Sequence, residues 1–406
     1  MKVLHINQSD TAGGAALAGY RLHQSLLNQK IDSRQLVGVK QTSSDRVAKV
    51  PRSPYLEQNI GRLTYRLGLN YLNYQTFSNI SKHDFYLNAD ILNFHNLHSN
   101  YFNYLDIAKL TRTKPAVFTL HDMWSFTGHC SYSYDCGKWQ TGCGQCPYLN
   151  TYPATHRDIT ALEWKLKQRV YSQSNLAIVA PSLWLYQQAQ QSLLNRFSIH
   201  HIPYGIDTTV YQPLDPDQCR AVLNIPQGKQ VLLFAAASLA DDRKGGDLLF
   251  KALLDLPQSL KAETVLLVMG SGGDEIEANL GISTINLGYI SSDRIKAIAY
   301  SAADLFIFPT RADNLPLVLQ ESMACGTPMV SFKIGGVPDL VRPGETGYLA
   351  APEDIEDFRQ GIIQLLENAE HRHQMRQTCR AIALQEYTLE LQAQRYMQLY
   401  QQRLAI

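Results

Sequence analysis

The sequence predicts an α/β protein of two domains, each built on a parallel sheet. Three observations carry this expectation. The chain has 406 residues, more than one hydrophobic core usually serves, so two domains are expected. Short apolar runs alternate with amphipathic helical stretches, the pattern of repeated strand–helix–strand units. The alternation breaks once, at His201-Ile202-Pro203-Tyr204-Gly205-Ile206-Asp207 with Pro213 and Pro216 beyond it, and then restarts. The boundary is therefore expected near residue 205, with a first domain over 1–205 and a second over 206–387.

In the first half, Lys2–Ile6 reads as a strand, followed by the small-residue turn Thr11-Ala12-Gly13-Gly14-Ala15-Ala16. Leu17, Tyr20, Leu22, Leu26 and Leu27 then recur at helical spacing. Ile91–Phe94, Ala116–Leu120 and Ala177–Ala180 read as buried strands, ending in His95-Asn96, His121-Asp122 and Pro181-Ser182. Ligands of a parallel sheet bind beyond the carboxyl ends of its strands, so these polar pairs are expected to face a site. Between the first two strands, Leu56, Ile60, Leu63, Leu67 and Tyr71 fall on one helical face within Tyr55 to Tyr74, with Arg62 and Arg66 nearby. Such a stripe packs on the protein's own core or lies on a membrane surface near a lipid-linked acceptor.

In the second half, Val231–Ala237, Thr264–Met269, Ile285–Leu287, Leu305–Phe308 and Met329–Phe332 read as strands with helices between them. The segment from Thr388 to Arg403 reads as a final helix with Thr388 at its N-cap.

Apolar residues make up 45% of the chain, charged residues 18%, and the formal net charge is +1. That balance gives no general attraction to nucleic acid or anionic membrane. The opening Met1-Lys2-Val3-Leu4-His5-Ile6-Asn7 lacks the length and flanks of a signal peptide, and no run approaches the roughly 20 apolar residues of a spanning helix. A cytoplasmic protein is expected, at most touching the inner face of a membrane, with its seven cysteines mostly reduced.

The chemistry concentrates in four places. Asp313-Asn314-Leu315-Pro316-Leu317 opens a helix that carries Glu321. Exposed N–H groups at a helix N-terminus suit phosphate or sugar hydroxyls, and a carboxylate farther along can accept both hydroxyls of a ribose. Upstream, Asp241-Asp242-Arg243-Lys244-Gly245-Gly246 places two cations after a strand, where they can neutralise a diphosphate, with glycine allowing close backbone approach. Gly13-Gly14 follows the first strand; it is not the GxGxxG of a dinucleotide site, and it reads either as a tight turn or as a turn beneath phosphates. Lastly, Cys130, Cys136, Cys143 and Cys146 sit in one polar loop. Cys143-x-x-Cys146 is half of a zinc-type pair, so a structural zinc, a redox pair and unligated thiols are all open.

The stretch from Phe308 to Glu321 resembles the paired-acid motif of glycosyltransferase family 4, retaining enzymes of the GT-B fold. The two acids, with seven residues between them, fall on Asp313 and Glu321, and the first is aspartate where the family usually has glutamate. The resemblance covers nearly the whole chain. It implies two Rossmann-like domains facing a cleft, with the final helix 388–406 packing back on the first. It implies a donor site at Gly13, Gly14, Arg243, Lys244, Asp313, Asn314, Leu315, Pro316, Leu317 and Glu321. Arg243 and Lys244 would take the place of a catalytic metal at the departing diphosphate. His121 matches the family's histidine beside the donor sugar, with Asp122 orienting the ring or only capping the next turn.

The implied partners are a nucleotide-sugar donor, UDP-glucose or a related UDP-hexose, and a saccharide or lipid-linked acceptor in polysaccharide synthesis, with no nucleic acid. A sugar-nucleotide epimerase of the same fold, or a non-catalytic nucleotide-sugar binder, would share the nucleotide half. The four-cysteine loop resembles an insertion in a subset of these transferases.

Overall fold

A computed structural model describes the chain except for residues 53, 70, 73–75, 99–100, 239–240, 272–279 and 406. It divides into two compact units, Met1–Gly205 with Glu390–Ile406, and Ile206–Leu389.

The first unit holds seven strands: β1 (Lys2–Ser9), β2 (Asp32–Val39), β3 (Val47–Lys49), β4 (Ile91–Phe94), β5 (Ala116–Thr119), β6 (Leu176–Ala180) and β7 (Ile199–His201). They form one sheet in the order β3-β2-β1-β4-β5-β6-β7, every pair parallel. Both faces are covered, so β4, β5 and β6 are buried at every residue instead of alternating between buried and exposed positions. Leu4, Ile6, Leu92, Phe94 and Phe118 join one buried cluster. Their neighbours Val3, Ile91, Val117 and Val179 join another. That second face is closed by Leu22 and Leu26 of the helix Gly14–Asn28 and by Ala393, Tyr396, Leu399 and Tyr400 of the helix Leu389–Leu404. The Tyr400 hydroxyl accepts from Asn93 Nδ2 at 2.7 Å, and the Tyr396 hydroxyl lies 2.9 Å from Thr119 Oγ1.

The 55–74 stripe does not form one face. The helix Pro54–Arg66 stops before Leu67. Tyr71 is buried with its ring edge-on to Trp124, whereas Ile60 and Leu67 are each 41% exposed. Tyr74 lies outside the described residues, as do the side chains of Leu56 and Leu63. Among the described residues no helix is long and apolar enough to cross a membrane.

The second unit holds six strands: β8 (Gln230–Ser238), β9 (Thr264–Ser271), β10 (Ser283–Gly288), β11 (Leu305–Phe308), β12 (Met329–Phe332) and β13 (Gly347–Ala350). Their order is β10-β9-β8-β11-β12-β13, again all parallel. Phe234, Leu266, Ile307 and Phe332 of four of these strands share a buried cluster with Leu249 and Leu253 of the helix Gly246–Leu254.

Each sheet has one place where the chain leaves a strand in one direction and returns on its other side. In the first unit this lies between β1 and β4, in the second between β8 and β11. Crevices at such switch points, beyond the carboxyl ends of the strands, are where open parallel sheets bind ligands.

Candidate functional site

In the second unit, β8 and β11 deliver the predicted residues to their common switch point. After β8, Asp241 accepts from the Arg243 N–H at 3.0 Å and opens a short turn, Asp242–Lys244. After β11, the loop from Pro309 to Pro316 carries Asp313. Lys244 Nζ reaches Asp313 Oδ2 at 2.5 Å, and Arg243 Nη1 reaches the same oxygen at 3.2 Å. Arg243 also donates to Ala312 O at 2.9 Å and to Asp241 Oδ2 at 3.2 Å. Burial alone would raise the Asp313 carboxyl, but the charges of Lys244 and Arg243 hold it below its ordinary value. Burial pulls the Lys244 ammonium down, and Asp313 opposes that pull. Both cations thus stand at the end of a parallel strand, oriented by one carboxylate.

Two glycines fix this arrangement. Gly245 ends the basic turn at φ 70°, in the left-handed region, and a Cβ there would lie 1.9 Å from Pro309 O. Gly335, at φ 51°, approaches Asp313 O so closely that a Cβ would lie 2.0 Å from it, while Gly336 N–H donates to that oxygen at 3.1 Å. Gly245→Ala is therefore expected to destabilise the protein by at least about 1–2 kcal/mol from backbone conformation alone. That corresponds to roughly 2–4 °C in Tm per kcal/mol for a unit of this size. Thermal unfolding checks it; an unchanged Tm would mean that the turn relaxes away from Pro309.

Beyond Asp313, Asn314 and Leu315 are buried and Pro316 stands at the N-cap of the helix Leu317–Ala324, which has no side-chain cap. Its first N–H groups are left for a ligand or for water. Glu321 is buried on this helix, with the Tyr300 hydroxyl donating to Oε2 at 3.3 Å.

In the first unit, β1 ends at Ser9 and leads through Asp10 to Gly13 and Gly14, which open the helix Gly14–Asn28 without a side-chain cap. A Cβ at Gly13 or Gly14 would meet no heavy atom within 4 Å. Asp10 holds the turn by accepting from the Thr11, Gln41 and Thr42 N–H groups.

His121 follows β5, and both of its ring nitrogens are engaged. Nε2 lies 3.0 Å from His95 Nδ1, and Nδ1 lies 2.6 Å from the Tyr204 hydroxyl. His95 Nε2 in turn lies 2.9 Å from His5 Nδ1. Burial brings the His121 imidazole down to about 4, with Asp122 opposing the fall. It holds His95 and His5 well below their ordinary value, each lowered further by a neighbouring histidine. All three rings are neutral at pH 7. Asp122 takes a different partner: Oδ2 lies 3.0 Å from His98 Nε2, and Oδ1 accepts the Trp124 N–H at 2.9 Å, capping the turn.

The family model described as Glycosyltransferase Family 4 matches residues 5–210, just over half of the chain. The chain belongs to glycosyltransferase family 4. A second model, Glycosyl transferases group 1, matches residues 215–381 of this glycosyltransferase. Among curated relatives it is similar to WcaC of Escherichia coli (strain K12), a provisionally assigned colanic acid biosynthesis glycosyl transferase, with 27% identity over 354 residues, 82% of this chain and 83% of WcaC. D-inositol 3-phosphate glycosyltransferase 1 of Catenulispora acidiphila is 32% identical over 184 residues, 42% of this chain and 44% of that protein.

Solved structures share the fold. Sucrose-phosphate synthase from Thermosynechococcus elongatus aligns over all of both chains with a TM-score of 0.73 and 18% identity. Anabaena HepE in complex with UDP covers 99% of this chain and all of its own, with a TM-score of 0.68 and 16% identity. The fold of this glycosyltransferase is GT-B, with two Rossmann-like parallel-sheet units.

The four cysteines of the glycosyltransferase line one pocket together with His129, Lys138, Trp139 and Tyr148. Cys143 Sγ accepts the Gly128 N–H at 3.1 Å, and Cys146 Sγ lies 3.3 Å from His129 Nε2. Burial pushes the Cys130 thiol up to about 12 and the Cys143 thiol up to about 11. As placed, no three His, Cys, Asp or Glu side chains among the described residues converge on a point that could hold a metal ion.

The sequence places His95 and His121 at strand ends but does not single out their partners, His5 beside His95 and Tyr204 beside His121. His5 lies inside β1, and Tyr204 in the segment after β7 that reads as a connection. A histidine in the middle of a buried strand was the available signal.

Proposed function

We propose that this glycosyltransferase moves a hexose from a UDP-sugar, UDP-glucose first among them, to a saccharide or lipid-linked acceptor in polysaccharide assembly, with retention at the anomeric carbon. The observation that carries the reading is the convergence of Arg243, Lys244 and Asp313 beyond β8 and β11. Two oriented cations at a strand end suit a diphosphate, whose negative charge grows as it leaves. HepE is solved with UDP and with UDP-glucose, and WcaC's description concerns colanic acid, which supports the donor and the setting. In this reading Asn314 to Leu317 hold the phosphate or sugar hydroxyls, and Glu321 accepts the ribose hydroxyls.

The test is a thermal-shift screen of nucleoside diphosphates and nucleotide sugars, because a ligand that binds only the native state raises Tm. UDP-glucose is expected to give the largest shift, and Glu321→Ala to weaken nucleotide binding about 10–100-fold, the scale of a lost hydrogen bond to a charged group. Donor hydrolysis and transfer are then measured separately. An altered sugar released with free nucleotide, needing no acceptor, would make the protein an epimerase. Binding without turnover would make it a non-catalytic binder.

The cysteine loop enters this reading as a structural cross-link. Closing the four thiols on one zinc requires side-chain rotation from the arrangement described above. It also displaces protons that burial keeps on Cys130 and Cys143. Metal analysis of protein purified under reducing conditions is expected to give about one zinc per chain. Metal-free protein with four freely alkylated thiols would show that packing alone holds the loop.

A further inference from the structure

Tyr204, His121, His95 and His5 stand in a row. Each ring is stacked on the next, with centroids 5.5, 5.3 and 5.2 Å apart and planes within 29° of parallel. Every link in the row is also a hydrogen bond, at 2.6, 3.0 and 2.9 Å. At the far end, His5 Nε2 is buried and has no partner.

A neutral imidazole carries one N–H and one lone pair. Each link needs one donor and one acceptor, so fixing the proton on one ring fixes it on the next. Two patterns satisfy all three links. In the first, the Tyr204 hydroxyl donates to His121 Nδ1, and all three histidines carry their proton on Nε2. In the second, all three carry it on Nδ1, and His121 donates to Tyr204. The 2.6 Å link selects between them. It falls in the range of an O–H donor and below the usual N–H···O distance, which points to Tyr204 as the donor.

We propose that His95 and His5 are positioning residues that hold His121 as its Nε2–H tautomer, so that Nδ1 presents a lone pair and recognises a hydrogen-bond donor. The group that takes the place of the Tyr204 hydroxyl must then itself donate. A sugar hydroxyl qualifies, and a phosphate oxygen, which only accepts at neutral pH, does not. The row thus makes this position select sugar over phosphate from two residues away. The unpartnered His5 Nε2–H is the cost of that polarity, since the row has to end on an unused donor. The inference rests on the reading of His121 as a sugar contact.

The test uses full-length enzyme labelled with 15N at histidine, with ring resonances assigned through His5→Phe, His95→Gln and His95→Leu. The wild type is expected to show Nε2–H tautomers for all three rings, unchanged between about pH 6 and 8. His95→Leu, which breaks two links, should give mixed tautomers at His121 and lower kcat by up to about 10²-fold with KM for the donor little changed, the scale of a misplaced catalytic group. His95→Gln can both donate and accept and should recover most of the loss. A mixed set of tautomers in the wild type overturns the row. A folded His95→Leu with wild-type kcat overturns the positioning role. Should His95→Leu fail to fold, His5→Phe is the substitute, and retention of both the His121 tautomer and kcat there overturns the proposal. A wild type that transfers no sugar would count against the functional reading, and the tautomer spectrum would still decide the row.

Discussion

Arg243→Ala and Lys244→Ala are each expected to lower kcat by about 10²–10³ while leaving the protein folded, the usual cost of removing one preorganised charge contact. Both cations are partly exposed, with side chains at 28% and 18%, so neither is part of a core whose loss would unfold the unit. Their common partner Asp313 keeps one cation in either single variant, so no buried carboxylate is left wholly unpaired. The diphosphate, by contrast, would lose half of its neutralising charge as that charge peaks. In this reading the cations fill the role of a catalytic metal, so chelation that spares the cysteine-loop zinc should leave the wild type active. Steady-state kinetics of both variants with and without EDTA, beside their melting curves, check the expectation. Metal-dependent transfer with both variants active would place the diphosphate elsewhere.

His121→Ala is expected to lower kcat on the order of 10²-fold, the lower end of the same range, with a smaller effect on folding. The ring stands just past β5 and is 8% exposed, so removing it takes away the group proposed to meet the sugar and one hydrogen-bond partner each from His95 and Tyr204. Activity per folded molecule, measured below the variant's Tm, separates the two effects. A kcat loss that vanishes once the unfolded fraction is subtracted would make His121 structural.

The lowered value at His121 also sets a direction with pH. A histidine whose folded-state value lies near 4 against 6.5 unfolded contributes stability that is present above 6.5. That stability is lost as the pH falls toward 4. Tm should therefore drop across that window in the wild type and less so in His121→Ala.

Much of the architecture was legible because the central strands are buried on both faces. Ile91–Phe94, Leu305–Phe308 and Met329–Phe332 appear in the structure with the ends that hydrophobic runs alone predicted. β2 was not legible: its Ser33 and Gln35 are buried polar residues, and His23 Nδ1 meets Ser33 Oγ at 2.7 Å, so the apolar signature is absent. β3 and β7, three residues each, are too short for any period. In the helix Gly14–Asn28, Arg21, His23 and Ser25 are buried beside Leu22 and Leu26, where apolar spacing alone would have chosen Leu17 and Leu27.

The contact of Asp313 with Arg243 and Lys244 joins residues about seventy positions apart. A local reading supplied each residue, but only the strand order β8-β11 brings them together. The histidine row was invisible for the same reason: its members come from β1, from the ends of β4 and β5, and from the segment after β7.

The helix Leu389–Leu404 also governs the order of assembly. The sheet of the first unit is made from residues before 206, yet one of its faces is covered by Ala393, Tyr396, Leu399 and Tyr400. During synthesis, Val3, Ile91, Val117 and Val179 therefore stay under-covered while the whole of the intervening unit is translated. Domains made N-terminal first ordinarily fold in that order. Here the second unit, whose residues are contiguous, can close before the first is complete. A nascent chain halted short of residue 389 would carry a sticky half-finished sheet, and a chaperone would find its substrate there.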